Sequence, residues 1–284
     1  MNRFLIVVAA AAAAAGCGGS PEPKLTEENE YYAGRAVGAL TLRRYKSLDD
    51  PAVNQYVNLV GYVVAAASDR PETFKGYTFG VLDADEPNAI AGPSGFIFIT
   101  RGLLLLCETE DELACVLAHE IGHVNKKHPE LALEKSLNDK KWMGAADTAS
   151  GVAAFGLGLA GKRQAASAVE TARQNFGAFI KNMVDGLITK GYERDQEFEA
   201  DLCGLDYVCR AGVGYDPNGL VAVLDRMAKN PTKAQYGWMH GSTHPEPADR
   251  RDKAAAYIKA KGLKGTTDPV RTARFKDVMK ALRK

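Results

Sequence analysis

At 284 residues, with 36 basic against 35 acidic side chains and a net charge of +1, the chain can bury a sizeable core but has no charge excess with which to grip nucleic acid. A nucleic-acid-binding role is therefore excluded, and protein is the expected class of partner. Alanine and glycine are in excess in two places only, the amino terminus and 144–161.

Arg3 precedes the apolar run Phe4 to Ala15, followed by Gly16-Cys17-Gly18-Gly19-Ser20. That run is shorter than the roughly twenty residues a spanning helix needs, so 1–16 reads as a secretory signal. Ala14-Ala15-Gly16-Cys17 resembles the bacterial lipoprotein processing box, which implies cleavage before Cys17 and lipidation of that cysteine. Gly18 favours the periplasmic face of the outer membrane, reached through the lipid anchor and a short tether, 17–24.

Helical periodicity follows over 27–44 and 51–67, broken at Asp49-Asp50-Pro51. Tyr77 to Leu82 and Phe96 to Thr100 are β-rich, and 83–95 between them is filled with Asp, Pro, Asn and Gly, so a small sheet is expected. Within 88–99, Asn88 and Ala89 are candidates for an edge that pairs with substrate. Gly102 to Cys107 forms a short turn or helix, and Thr109 with Glu112 makes a capping box that opens a helix over about 110–126. Pro129 ends it.

Residues 131–190 hold the second Ala/Gly stretch, where Asp147 would cost about 3 kcal/mol at a bilayer centre. A loosely packed helical segment near the site is expected there. Helices are predicted over 192–211, stopping at Gly212, from Asp216-Pro217 to about Met227, over 248–261 and over 269–284, with 230–247 as loop. The last helix carries Arg271, Arg274, Lys276, Lys280, Arg283 and Lys284 and reads as a solvated face, with anionic lipid as its alternative contact. The fold class is α+β, mostly helical, with the main domain over 25–262 and a separate basic helix over 263–284. Cys107, Cys115, Cys203 and Cys209 allow disulfides or buried free thiols, but no Cys-x-x-Cys pair suggests thiolate zinc.

The chemistry concentrates at His119-Glu120-Ile121-Gly122-His123. Four residues advance about 400° around a helix and about 6 Å along it, so both imidazoles leave one face and can meet one ion. Glu120, about 100° from His119, can reach a metal-activated water without being a ligand. His128, projected five residues along the same helix, lies about 140° away and is excluded as a ligand. A catalytic zinc needs a third protein donor and an open position. Glu193, Glu197 and Asp201 share a helix face, with Ala200 and Gly204 small enough to admit another helix, and spacing does not choose between Glu193 and Glu197.

Asn88-Ala89, the run from Gly95 to Gly102, Glu112 to His123, Tyr192 to Asp201, and Ser242-Thr243-His244-Pro245 with Arg250 together resemble the zinc endopeptidases of the prenyl-protein and heat-shock membrane protease family, most of all their soluble periplasmic lipoprotein branch. The resemblance covers about 27–250. It implies a zincin-like fold with a small sheet beside the active-site helix, and one Zn2+ per chain held by His119, His123 and Glu197. It further implies Asp201 as the carboxylate that orients a ligand histidine, and His244, supported by Arg250, as a zinc-side group that blocks the open position or stabilises the oxyanion. Pro93-Ser94-Gly95 and Glu193 depart from the family's pattern without touching a proposed ligand.

The expected function is thus a zinc-dependent endopeptidase of the cell envelope acting on extended or misfolded proteins in quality control. The alternatives are a lipid-anchored, chaperone-like assembly factor whose zinc is silenced by His244 as a permanent fourth ligand, and a hydrolase of non-peptide bonds.

Overall fold

The computed structural model describes residues 26–138, 181, 184–186, 191–210, 212–229 and 246–283. The signal, the Cys17 anchor, the tether, the 144–161 stretch and the loop with His240 and His244 lie outside the described residues.

Helices α1 (Glu27–Arg44) and α2 (Pro51–Ala66) begin at side-chain caps. Thr26 Oγ1 accepts the Asn29 N–H, and Asp50 accepts those of Ala52 and Val53, with Pro51 opening the first turn. Strands β1 (Thr78–Leu82), β2 (Ala89–Gly92) and β3 (Phe96–Thr100) form one sheet in the order β1-β3-β2. β1 runs parallel to β3, and β2 antiparallel to it. The stretch rich in turn formers therefore contains the edge expected at Asn88 and Ala89, with Ala89 as its first strand residue. Ala89-Ile90-Ala91 is too short to show an alternating pattern and becomes a strand by pairing with Ile97–Ile99. Ser94 and Gly95 then reverse the chain through left-handed backbone, with φ of 57° and 83°.

After α3 (Arg101–Leu106), α4 (Glu110–Asn125) carries the histidine motif. Thr109 Oγ1 accepts the Glu112 N–H at 3.2 Å, one half of the expected capping box, and the Glu112 carboxylate reaches one residue further back to accept the Glu108 N–H. Every residue of the helix from Glu110 to Val124 is buried. It runs through the middle of a core built by α2, the sheet, α6 (Arg194–Cys209), α7 (Asn218–Lys229), α8 (Pro247–Lys261) and α9 (Pro269–Met279). The acids of its first turn are each met by an arginine: Glu110 by Arg274, Asp111 by Arg271 at 3.1 Å and Glu112 by Arg226. Carboxylates at a helix N-terminus are also favoured by its dipole.

This changes the reading of the last helix. Arg271 and Arg274 of α9 are spent on α4, and its Phe275 and Met279 are fully buried in the main core. The segment is a brace on the motif helix rather than a separate unit, while Arg274, Lys276, Lys280 and Arg283 keep the solvated basic face expected of it. No helix among the described residues is long and apolar enough to cross a membrane. Cys107, Cys115, Cys203 and Cys209 are all free thiols.

Helix α5 (His128–Asn138) begins two residues after α4, with Lys127 at φ 57° turning the chain and Pro129 opening the new helix rather than merely stopping the old one. Beside this junction Glu30 is buried and paired with Arg70 at 2.9 Å and Lys127 at 2.6 Å. Glu130 is buried close by, and burial together with the Glu30 charge raises its carboxyl to about 7. A carboxyl whose folded pKa exceeds its unfolded value stabilises the fold fully below about pH 4.5, and that contribution is lost as pH rises through about 7. The loss amounts to about 3 kcal/mol at 1.4 kcal/mol per unit. Glu130→Gln, which cannot ionise, is expected to flatten this slope and to be more stable than wild type at pH 8, with little difference at pH 4.5. Urea melts across that range check it, and parallel curves for the two proteins would contradict it.

Candidate metal centre

Helices α4 and α6 meet at glycines. A Cβ on Gly122 would stand 2.9 Å from the Ala200 carbonyl oxygen, and one on Gly204 would stand 2.9 Å from the His119 nitrogen. The small residues expected to admit a neighbouring helix therefore do so, and this approach carries a carboxylate of α6 to the two imidazoles of α4.

His119 Nε2 and His123 Nε2 lie 3.0 Å apart. Glu197 Oε2 is 3.4 Å from the first, and its Oε1 is 3.7 Å from the second. Ligand atoms about 2 Å from a tetrahedral ion stand about 3.3 Å from one another, so these spacings suit one small divalent cation. The three side chains are at most 1% exposed, and theirs is the metal-competent group found among the described residues. Glu193, which spacing alone left as a rival, sits at the start of α6, where its N–H bonds Gln196 Oε1 at 3.1 Å.

The far sides of both rings are also held. His119 Nδ1 is 2.8 Å from Asp201 Oδ1, in the orienting role expected of that carboxylate. His123 Nδ1 is 2.8 Å from His128 Nδ1, and His128 Nε2 is 3.2 Å from Glu199. His128 was expected to point away from the site, and it does not. The turn at Lys127 ends α4 first, so a helical projection from His123 has no meaning at residue 128. The ring folds back, buried at 2% exposure, and joins His123 to Glu199. It is no member of the three-donor group but fixes the orientation of one that is.

Tyr192 was also missed. Its ring stacks on His123 with centroids 4.0 Å apart and planes at 24°, and its hydroxyl donates to the Ala91 carbonyl at 2.7 Å. An aromatic two residues before a helix carries no local signal of such a contact.

Arg250, expected to support His244, gives its guanidinium to the α6 carboxylates. Nε and Nη2 meet Asp201 at 2.8 and 2.7 Å, and Nη1 lies 3.1 Å from Glu197. Nη2 also approaches His119 Nδ1 at 3.2 Å. At 2% exposure this is a buried fork against two carboxylates.

The charges state what the site demands. Burial and Arg250 oppose protonation of His119, but Asp201 and Glu197 outweigh them and lift it to about 9. His123 is driven well below its usual value by burial and by the neighbouring His119. Ligation needs both rings neutral, so a bound ion would displace the proton that the free site holds on His119, and a divalent ion together with Arg250 would then offset Glu120, Glu197 and Asp201, all buried beside it. Donor type, spacing and charge thus fit zinc or a similar ion.

Across 51–258 the sequence matches the family described as Peptidase family M48. The chain belongs to that family. Among the relatives of this M48 peptidase, the putative beta-barrel assembly-enhancing protease of Vibrio cholerae is 29% identical over 238 residues, 82% of this chain and 46% of its own length. The beta-barrel assembly-enhancing protease of Escherichia coli K12 is 27% identical over 242 residues, 79% of this chain and 42% of its own length. Metalloprotease LoiP of the same strain is 24% identical over 218 residues and covered to 75% on each side. The chain thus spans a little under half of the first two relatives and three quarters of the third. The mostly helical α+β architecture with a small sheet beside the motif helix agrees with that membership.

Proposed function

We propose that this metallopeptidase is a zinc-dependent endopeptidase of the bacterial envelope, with one Zn2+ per chain, that hydrolyses extended or misfolded protein substrates in quality control. The observation that carries the reading is the convergence of His119, His123 and Glu197 beside Glu120 and an edge strand. Relatives described as assembly-enhancing proteases, together with the Arg3 to Cys17 signature, support an envelope address through a lipid anchor at the outer membrane.

When bound, zinc supplies Lewis-acid polarisation of the scissile carbonyl and brings the pKa of water to about 7. The protein's own groups do the rest. Glu120, buried at 1% exposure one residue from His119, takes the proton from the attacking water and delivers it to the leaving amine. Asp201, and His128 with Glu199, keep the far ring nitrogens of the two histidines engaged, so that Nε2 of each faces Glu197. Arg250 holds Glu197 and Asp201 in place. β2 lies at the edge of the sheet and can pair with an extended chain through main-chain hydrogen bonds, which tolerates many sequences. Of the two residues expected at that edge, Asn88 spends its main chain on Thr100, and Ala89 is the one whose main chain turns away from β3.

Purified protein is expected to digest unfolded casein, to lose that activity on dialysis against a strong zinc chelator and to regain it with stoichiometric zinc. Digestion that survives complete metal removal would contradict the reading.

A further inference from the structure

The hydrogen bonds of β2 show which of its main-chain groups the sheet uses and which it leaves. Thr100 N donates to the Asn88 carbonyl at 2.9 Å, and Asn88 N donates to Thr100 Oγ1 at 2.9 Å. In an antiparallel pair, residues alternate between facing the partner strand and facing away. With Ile90 opposite Phe98 and Gly92 opposite Phe96, residues 88, 90 and 92 turn their main chain toward β3. Ala89 and Ala91 turn theirs to the outer edge of the sheet, where Ala89 keeps 7% exposure and Ala91 none.

Of those two, Ala91 is already taken at its carbonyl by the Tyr192 hydroxyl, 2.7 Å away. Tyr192 is buried at 8% exposure, and its ring lies flat against the ligand His123. It cannot swing off the edge without leaving that ring. Just after it, α6 is anchored by the Glu193–Gln196 bond, so the phenol stands at a set point between strand and metal site.

We propose that Tyr192 determines specificity: by closing the β2 edge at Ala91 it leaves Ala89 as the pairing position and fixes the register in which an extended substrate lies across His119, His123 and Glu197. A strand repeats its pairing every two residues, about 6.7 Å, so a substrate can otherwise slip by two and present a different bond. The closed carbonyl removes the second register. The inference rests on the endopeptidase reading, and the experiment separates the two.

Tyr192→Phe removes one hydroxyl and keeps the ring on His123. Reduced, carboxymethylated insulin B chain serves as substrate, with cleavage positions read by mass spectrometry. Wild type is expected to cut at restricted positions, and the variant to cut additionally two residues away from them. KM should fall roughly 2- to 10-fold, since one more main-chain hydrogen bond becomes available to the substrate. In the Glu120→Gln background, where nothing turns over, adding Tyr192→Phe should tighten binding of fluorescein-labelled B chain by the same factor, with metal content unchanged. Identical cleavage maps and equal binding would overturn the proposal, as would a variant that loses its fold or its metal, because the hydroxyl would then be structural. If wild type cuts no peptide, the endopeptidase reading fails, and the binding comparison alone decides whether Tyr192 closes the edge.

Discussion

Glu120→Gln is expected to lower kcat for peptide hydrolysis by roughly 10²- to 10⁴-fold, the usual worth of a positioned general base and acid, while leaving metal content unchanged. Glutamine matches the shape of glutamate and can still accept one hydrogen bond, but it can neither take a proton from water nor return one to the leaving nitrogen. Glu120 is not in the group of side chains within ligand distance of one another, so its loss should not release the ion. The expectation is therefore a split: kcat collapses, while KM and metal stoichiometry hold. Loss of metal in this variant would make Glu120 a ligand and require a different third donor. A residual activity within tenfold of wild type would give the proton transfer to another group.

Arg250→Ala is expected to cost about 3–5 kcal/mol of stability, the range for removing one member of a buried ion pair. The guanidinium is bidentate to Asp201 and also bonded to Glu197, and all three side chains are at most 3% exposed. Alanine leaves two buried carboxylates facing each other across His119. Lysine restores the charge without the planar fork, so Arg250→Lys should recover only part of the loss. Denaturant melts of the three proteins at one pH, each with zinc bound, measure this directly. A loss below about 1 kcal/mol for the alanine variant would show that Arg250 does not brace these carboxylates.

Much of the metal site was legible because its signals are local. The four-residue interval of His119 and His123 needs only a helix, and the Thr109–Glu112 cap marks where that helix starts. Glu197 was not legible from spacing, since Glu193 shares its face. Resemblance to a family chose between them, and the fold shows why: Gly122 and Gly204 bring the α6 backbone closest near Ala200, within a turn of Glu197. What stayed hidden depends on partners far along the chain. Nothing in residues 110–112 reveals that Arg274, Arg271 and Arg226 will make their burial tolerable, so neither the full burial of α4 nor the docking of α9 against it could be read from the sequence. His128 was misjudged because a helical projection was carried past a left-handed residue at 127. β2 was legible only as an edge expected at Asn88 and Ala89, and its extent was not, as three apolar residues among turn formers become a strand only when β3 lies beside them.

Metal content by plasma mass spectrometry, on protein purified without chelators, tests the account at its centre. One zinc per chain is predicted for wild type and less than a tenth of that for Glu197→Ala, with folding of the variant confirmed by circular dichroism. Equal metal in the two proteins, or none in wild type after zinc is offered at neutral pH, would contradict a site built from His119, His123 and Glu197.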